Sequence, residues 1–237
     1  MNTLIIYANY KEPSFNSAIR DILGEEFNKN GHEVVVRDLY NIKFNPVLSR
    51  KDLESIDQNI YPVQITQEQK YIKRADLIAF VYPIWWSGMP AMLKGYIERV
   101  FLEGFAFKTE NGKATPQLTD KKVMLFNTTG STEFFNTQKQ LDALREITEK
   151  CIFEFCGMEV MHHKYFKAIA DVDDKTRQSY LDEIREIAEE KFDIEGRGQK
   201  NIKVQSEQLL HILEQVPKSV EEKIEFIFNI DESDLDD

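Results

Sequence analysis

Short apolar runs alternate with stretches of helical hydrophobic spacing along most of this 237-residue chain, and that alternation restricts the fold more than any other feature. Leu4-Ile5-Ile6-Tyr7-Ala8 reads as a strand. A polar turn follows, then Phe15, Ala18, Ile19, Ile22, Leu23 and Phe27 at helical intervals, with Gly31 placed to end the helix. Val34-Val35-Val36 and Leu77 to Tyr82 are two more strand candidates, both expected to be buried. After Pro90 the face Met92, Leu93, Tyr96, Ile97, Val100 and Phe101 predicts a helix. Lys121 to Thr128 predicts a fourth strand and Met158 to Phe166 a fifth. Between them lies a helical stripe of Leu141, Leu144, Thr148, Cys151, Ile152 and Phe155, and Tyr180, Leu181, Ile184, Ile187 and Ala188 form the last. Five strands separated by helices predict an α/β fold, a doubly wound five-stranded parallel sheet with helices on both faces.

Two segments stand outside this rhythm. Gly104 to Leu118 carries an apolar stem, Gly104-Phe105-Ala106-Phe107, and a hairpin-turn signal, Glu110-Asn111-Gly112. From Arg197-Gly198 onward no strand–helix unit recurs, and residues 219–237 hold eight acids against the single Lys223. The expected organisation is a domain over 1–197 and an acidic C-terminal extension over 198–237, partly helical or disordered.

The formal charge of −11 argues against a nucleic-acid partner and against an anionic membrane surface. No apolar stretch approaches the ~20 residues of a membrane span, and the N-terminus lacks the features of a secretory signal, so membrane insertion is not expected and the cytoplasm is. The spacing of the two cysteines, Cys151 and Cys156, matches neither a zinc site nor a redox pair. No metal site is expected. Cys151 reads as a small buried hydrophobe on its stripe, one of His162 and His163 is expected to face solvent, and His32 and His211 have no visible partner.

Ligands of a doubly wound sheet bind beyond the carboxyl ends of the strands, where the strand order reverses. In the turn after the first strand, Asn9 to Asn16, Ser14 is placed to cap the helix. Unpaired N–H groups of a first turn, the helix dipole and a capping hydroxyl suit a phosphate, although a serine there equally serves as a cap alone. There is no GxGxxG and no Walker lysine loop, which argues against a Rossmann dinucleotide fold and a P-loop NTPase. After the third strand, Pro83-Ile84-Trp85-Trp86-Ser87-Gly88-Met89-Pro90 holds both tryptophans of the chain. Pro83 is expected to stop the strand and Pro90 to open the next helix. Tryptophans usually serve packing, but packing here comes from strand and helix positions, so the loop points to a flat heteroaromatic ligand. Thr128-Thr129-Gly130-Ser131, after the fourth strand, offers hydroxyls and backbone donors for the carbonyl edge of a ring. Together the three loops describe a site for a flavin nucleotide.

At this point the sequence resembles the flavodoxin-like NAD(P)H:quinone oxidoreductases of the diaphorase type. The likeness rests on Ser14-Phe15-Asn16, Asp38-Leu39-Tyr40 with Phe44-Asn45-Pro46, Ala75-Asp76-Leu77-Ile78, Pro83-Ile84-Trp85-Trp86 through Pro90-Ala91-Met92-Leu93-Lys94-Gly95 to Glu98-Arg99-Val100, Gly104-Phe105-Ala106-Phe107, and Thr128-Thr129-Gly130. These stand in the family's order over about residues 1–195. The resemblance implies that Ser14, Phe15 and Asn16 hold the flavin phosphates. It implies further that Pro83, Ile84, Trp85 and Trp86 line the isoalloxazine with the Trp86 backbone near N5, and that Thr128, Thr129, Gly130 and Ser131 meet its pyrimidine edge. Phe105 and Phe107 resemble a segment that roofs the partner's site in a homodimer, and with Phe135 they are the expected walls of the acceptor pocket. The expected cofactor is FAD, with FMN as the alternative. Asn9 stands where many members have His, and Ser87 where an aromatic is usual. The loop after Gly130 lacks a second glycine and the Tyr and His that some members place near the flavin O2.

A flavin that takes a hydride at N5 gains negative charge at N1 and O2, so the catalytic contribution expected of this chain is preorganised backbone donors, at Trp86 and around Gly130. NAD(P)H as donor and a quinone-like acceptor would occupy the same space in turn, which predicts ping-pong kinetics. Two other readings use the same fold: a regulatory subunit of a partner such as a transporter, and a flavodoxin-type electron carrier.

Overall fold

Parallel pairing of the apolar runs builds the frame. A computed structural model of the chain describes residues 1–58, 60–130 and 137–190. In chain order the elements are β1 (Asn2–Tyr7), α1 (Phe15–Lys29), β2 (Glu33–Asp38), α2 (Arg50–Asp57), α3 (Val63–Arg74), β3 (Leu77–Pro83), α4 (Ala91–Val100), β4 (Phe107–Glu110), β5 (Lys113–Pro116), β6 (Lys122–Thr128), α5 (Gln138–Arg145), a π-helix (Glu146–Glu154), β7 (Glu159–Phe166) and α6 (Asp174–Glu189). Five strands form one parallel sheet in the order β2-β1-β3-β6-β7, and β4 and β5 form the expected hairpin. This is the expected doubly wound five-stranded parallel sheet. The expected extension 198–237 lies outside the described residues, as do Ser131, Phe135 and His211.

Side chains alternate across each strand, so the sheet feeds two cores. On one face Leu4, Ile6, Ile78, Phe80, Val123 and Leu125 join Ile72 of α3, Tyr96 of α4 and Phe153 of the π-helix. On the other, Ile5, Tyr7, Ala79, Val81, Met124 and Phe126 meet Leu23 and Phe27 of α1 and Ile184 of α6. Strand β2 is an edge strand rather than a buried one, and Val36 is 41% exposed. Pro83 ends β3 as expected, as its last residue opposite Thr128, and Pro90 stands at the N-cap position just before α4.

Helices α2 and α3, not anticipated from the sequence pattern, fill the crossover from β2 to β3. Helix α2 is short, and it begins with a Ser49–Asp52 capping box in which each side chain accepts the other's backbone N–H. Arg99 of α4 holds it in place, donating to Asp52 (Nε to Oδ2 and Nη2 to Oδ1, both 3.2 Å) and to the Asn45 carbonyl (Nη1, 2.6 Å). Gly95, one turn earlier, lets the Asn45-Pro46 segment lie against α4, because a Cβ there would sit 2.1 Å from the Pro46 carbonyl oxygen.

Cys151 is exposed, against expectation, and Cys156 is buried. The reason is the π-helix, whose wider turn moves the buried positions from the expected three-to-four spacing to Thr148 and Phe153, five residues apart. On the same face His163 is buried, with Nδ1 2.7 Å from Glu149 Oε1 and Nε2 2.6 Å from the Asn127 amide. His162 lies 2.9 Å from Glu190, and His32, expected to lack a partner, meets Thr3 Oγ1 at 2.9 Å and stacks on Phe27. Burial pushes both His163 and His32 below the ordinary imidazole value, although Glu149 pulls His163 the other way.

Gly95→Ala should destabilise the fold by about 2 kcal/mol through the forced clash, seen as a melting temperature lower by roughly 5 °C; an unshifted melting curve would contradict the close approach. For His163 and His32 the folded state stays neutral where the unfolded chain takes up protons. Stability should therefore fall as pH drops below about 6.5, the unfolded value. Urea midpoints between about pH 7.5 and about pH 5.5 should slope more steeply in the parent than in His163→Gln, and equal slopes would remove His163 from the account.

Candidate functional site

The chain leaves β1 for β2 on one side and returns to β3 on the other, so the loops beyond these strands part and leave a crevice. A cleft of about 700 Å³ opens there. It is lined by Lys11, Pro13, Ser14, Phe15 and Asn16, by Pro83 to Ser87, by Thr128 to Gly130, and by Ile169 and Ala170.

Its first wall is the start of α1. Ser14 is extended (φ −151°, ψ 167°), and its Oγ accepts from the N–H of Ser17 at 3.1 Å while Ser17 Oγ accepts from the N–H of Ser14 at 2.8 Å. Asn9 Nδ2 also donates to Ser14 Oγ at 3.1 Å. The cap is therefore real, and it leaves the N–H groups of Phe15 and Asn16 without an acceptor among the described residues. Beneath it the Tyr7 hydroxyl lies 3.4 Å from Ser14 Oγ, and its pKa is pushed up to about 12, chiefly by burial and partly against the Ser14 contact. Asn16 is only 4% exposed, donates from Nδ2 to Thr128 Oγ1 at 2.8 Å, and keeps a buried Oδ1 with no partner.

The tryptophan loop forms the second wall. Ile84 N–H is fixed to the Thr128 carbonyl at 2.8 Å. Trp85 and Gly88 then exchange both backbone hydrogen bonds at 3.0 Å, closing a two-residue turn whose centre is Trp86 (φ 48°) and Ser87 (φ 58°). Positive φ at both centres is the type I′ pattern, normally given to Asn-Gly, and each non-glycine residue there is strained. The turn holds the Trp86 side chain fully in solvent (102% exposed) and leaves its N–H without an acceptor among the described residues. Trp85 turns inward, and its ring meets Tyr10 at 5.8 Å between centroids.

Beyond β6, Thr129 is stitched to the end of β7. Its N–H donates to the Phe166 carbonyl (3.0 Å), its Oγ1 accepts from the N–H of Ala168 (3.1 Å), and its carbonyl accepts from the N–H of Ile169 (3.0 Å). That stitching brings Ile169 and Ala170 into the cleft as a fourth wall.

Ser14, Phe15, Asn16, Pro83, Ile84, Trp85, Trp86, Thr128, Thr129 and Gly130, taken from three distant stretches of sequence, thus surround one cleft. Phe105 and Phe107 are not in its wall; Phe107 packs on Phe155 with centroids 5.3 Å apart. Lys11, Pro13 and Ser87 lie in loops the sequence singled out but were given no role, and Ile169 and Ala170 were passed over. The same rule about strand ends, applied to the loop after the fifth strand, would have found the last two. No group of three or more His, Cys, Asp or Glu among the described residues could hold a metal, and no described helix is long and apolar enough to cross a membrane.

Chemically the cleft is asymmetric. Its α1 end offers backbone donors, a helix dipole and the Lys11 ammonium to an anion. Its middle is apolar, with Pro83, Ile84 and Trp85, and its far edge carries the hydroxyls and backbone of Thr128 to Gly130. These donors and the unpartnered Asn16 Oδ1 fit an elongated ligand with a phosphate, a hydroxylated linker and a flat polar ring.

A family described as having a flavodoxin-like fold matches residues 1–190. An uncharacterized NAD(P)H oxidoreductase of Haemophilus influenzae is 40% identical over 184 residues, covering 77% of this chain and 91% of that one. NAD(P)H dehydrogenase [quinone] 1 of Cavia porcellus is 35% identical over 179 residues, covering 67% of this chain and 65% of that one. Among solved structures, the NAD(P)H:quinone oxidoreductase from Methanothermobacter marburgensis superposes with a TM-score of 0.72 at 28% identity, covering 79% of this chain and 97% of that one.

The strain at the tryptophan turn can be tested alone. Ser87→Gly should stabilise the chain by about 0.5–1 kcal/mol in denaturant unfolding, since glycine accepts positive φ while losing some entropy. A destabilised variant would show that the turn is not strained.

Proposed function

The chain belongs to the flavodoxin-like family that matches its residues 1–190, and from that membership we propose that it is a flavin-dependent NAD(P)H oxidoreductase reducing quinones or similar flat acceptors. The observation that carries this reading is the convergence of an anion-binding helix start, a tryptophan loop and a donor-bearing strand end on one cleft. Bound there, a flavin would supply the ability to take a hydride from NAD(P)H and pass it to the acceptor.

The chain's own residues bind and orient. The Phe15 and Asn16 N–H groups and Ser14 hold phosphate, and Asn16 Oδ1 accepts from a linker hydroxyl. Pro83, Ile84 and Trp85 form the apolar platform that keeps water from the ring. The Trp86 N–H, unpaired among the described residues, would be a donor to a bound flavin ring. Because the Thr129 N–H is already given to Phe166, stabilisation of charge at the pyrimidine edge falls to Gly130, with the Thr128 and Thr129 hydroxyls beside it and Ser131 next in sequence.

The finer parts of the reading are FAD as the flavin, ping-pong turnover, and a cytoplasmic homodimer. In the dimer Phe105 and Phe107, absent from the cleft of their own chain, would serve the partner's cleft together with Phe135.

Full-length protein should purify yellow, bleach with NAD(P)H and recover colour with a quinone. Initial-rate plots against both substrates should be parallel, and mass analysis of the released chromophore should identify FAD. Trp85→Ala, which removes part of the apolar platform, should weaken flavin retention. A colourless chain that takes up neither FAD nor FMN would end this reading.

A further inference from the structure

Among the described residues Lys11 is the one charged side chain in the wall of the cleft, and it stands in a chain where 41 acids outnumber 30 bases. An exposed lysine in such a chain is expected to pair with an acid, yet Lys11 makes no ion pair among the described residues. Its neighbour Glu12 would be the natural partner. Glu12 is instead taken by Arg20 of α1, whose Nη1 lies 2.6 Å from Glu12 Oε1. The same guanidinium reaches Asp21 (Nε, 2.7 Å) and Asp38 (3.8 Å) and stacks over the Tyr7 ring at 4.6 Å. Three acids and a ring hold Arg20 in one place on the flank of α1, and Glu12 is held with it. The adjacent ammonium is left for whatever enters the cleft.

At the start of α1 the Phe15 and Asn16 N–H groups suffice for one phosphate. Lys11 lies three residues before the cap, is exposed, and lines the same cleft as those donors without being one of them. We propose that Lys11 is the counter-charge for the second phosphate of a dinucleotide flavin, that it makes the cleft prefer the dinucleotide to the mononucleotide, and that Arg20 keeps it available by occupying Glu12. The inference rests on the flavin reading of the cleft.

The test uses full-length protein stripped of its flavin and titrated with FAD and with FMN at low and high salt. Lys11→Met should weaken FAD about fivefold and FMN by less than about twofold, as expected for one partly exposed charge pair, and should flatten the salt dependence for FAD. Lys11→Arg should restore FAD affinity. Arg20→Met should also weaken FAD, because it releases Glu12 onto Lys11, and adding Glu12→Gln should recover the affinity, which a merely structural role of Arg20 would not do. Equal losses for FAD and FMN would overturn the inference, as would unchanged FAD affinity with an altered preference between NADPH and NADH, which would assign Lys11 to the donor's phosphate. Failure of the parent chain to bind either flavin would instead overturn the reading of the cleft itself.

Discussion

The structure depends on the parallel pairing of β1 with β2 on one side and β3 on the other. Strands that run the same way need crossovers, and crossovers in opposite directions from one central strand leave diverging loops at its carboxyl end. Everything functional lies at that divergence. The start of α1 and the end of β6 are more than 100 residues apart, with the tryptophan turn between them in sequence, yet the Asn16 amide bridges to Thr128 Oγ1 across the gap. One hydrogen bond between buried side chains thus records the fold's closure and sets the spacing of two walls of the cleft.

Much of this was legible in the sequence because burial on both faces makes central strands continuous apolar runs. Leu4 to Ala8, Leu77 to Tyr82 and Val123 to Phe126 announce themselves that way. The misses have physical causes of the same kind. Val34-Val35-Val36 looks central by composition, but nothing in three valines says which strand takes the edge. Helix α2 was missed because it owes its place to Arg99, forty-seven residues from Asp52, and not to an apolar stripe. Cys151 was placed inside by assuming 3.6 residues per turn, and no local signal marks a π-helix in advance.

For the cleft, glycine, proline and tryptophan content pointed to three loops, and side-chain chemistry suggested what each offers. What sequence could not reveal was which donors are already spent. The Thr129 N–H looks available in the sequence and is committed to Phe166 in the fold. Conversely Trp86 and Ser87 carry no residue type that favours positive φ, so the strained turn that puts the indole into solvent is visible only in the backbone. Strain at such a place is stored against packing elsewhere, here the two hydrogen bonds between Trp85 and Gly88 and the anchoring of Ile84 to β6.

The wide turn between α5 and β7 has a consequence for how this chain tolerates change in length. An added residue in an ordinary helix swings everything after it by about 100°, turning a buried side outward. Over Glu146–Glu154 the surplus is absorbed within the coil, so that Phe153 still reaches Phe80 and β7 still enters the sheet beside β6. Such a segment works as an expansion joint, letting the helix change its count of residues without moving the wall it supports.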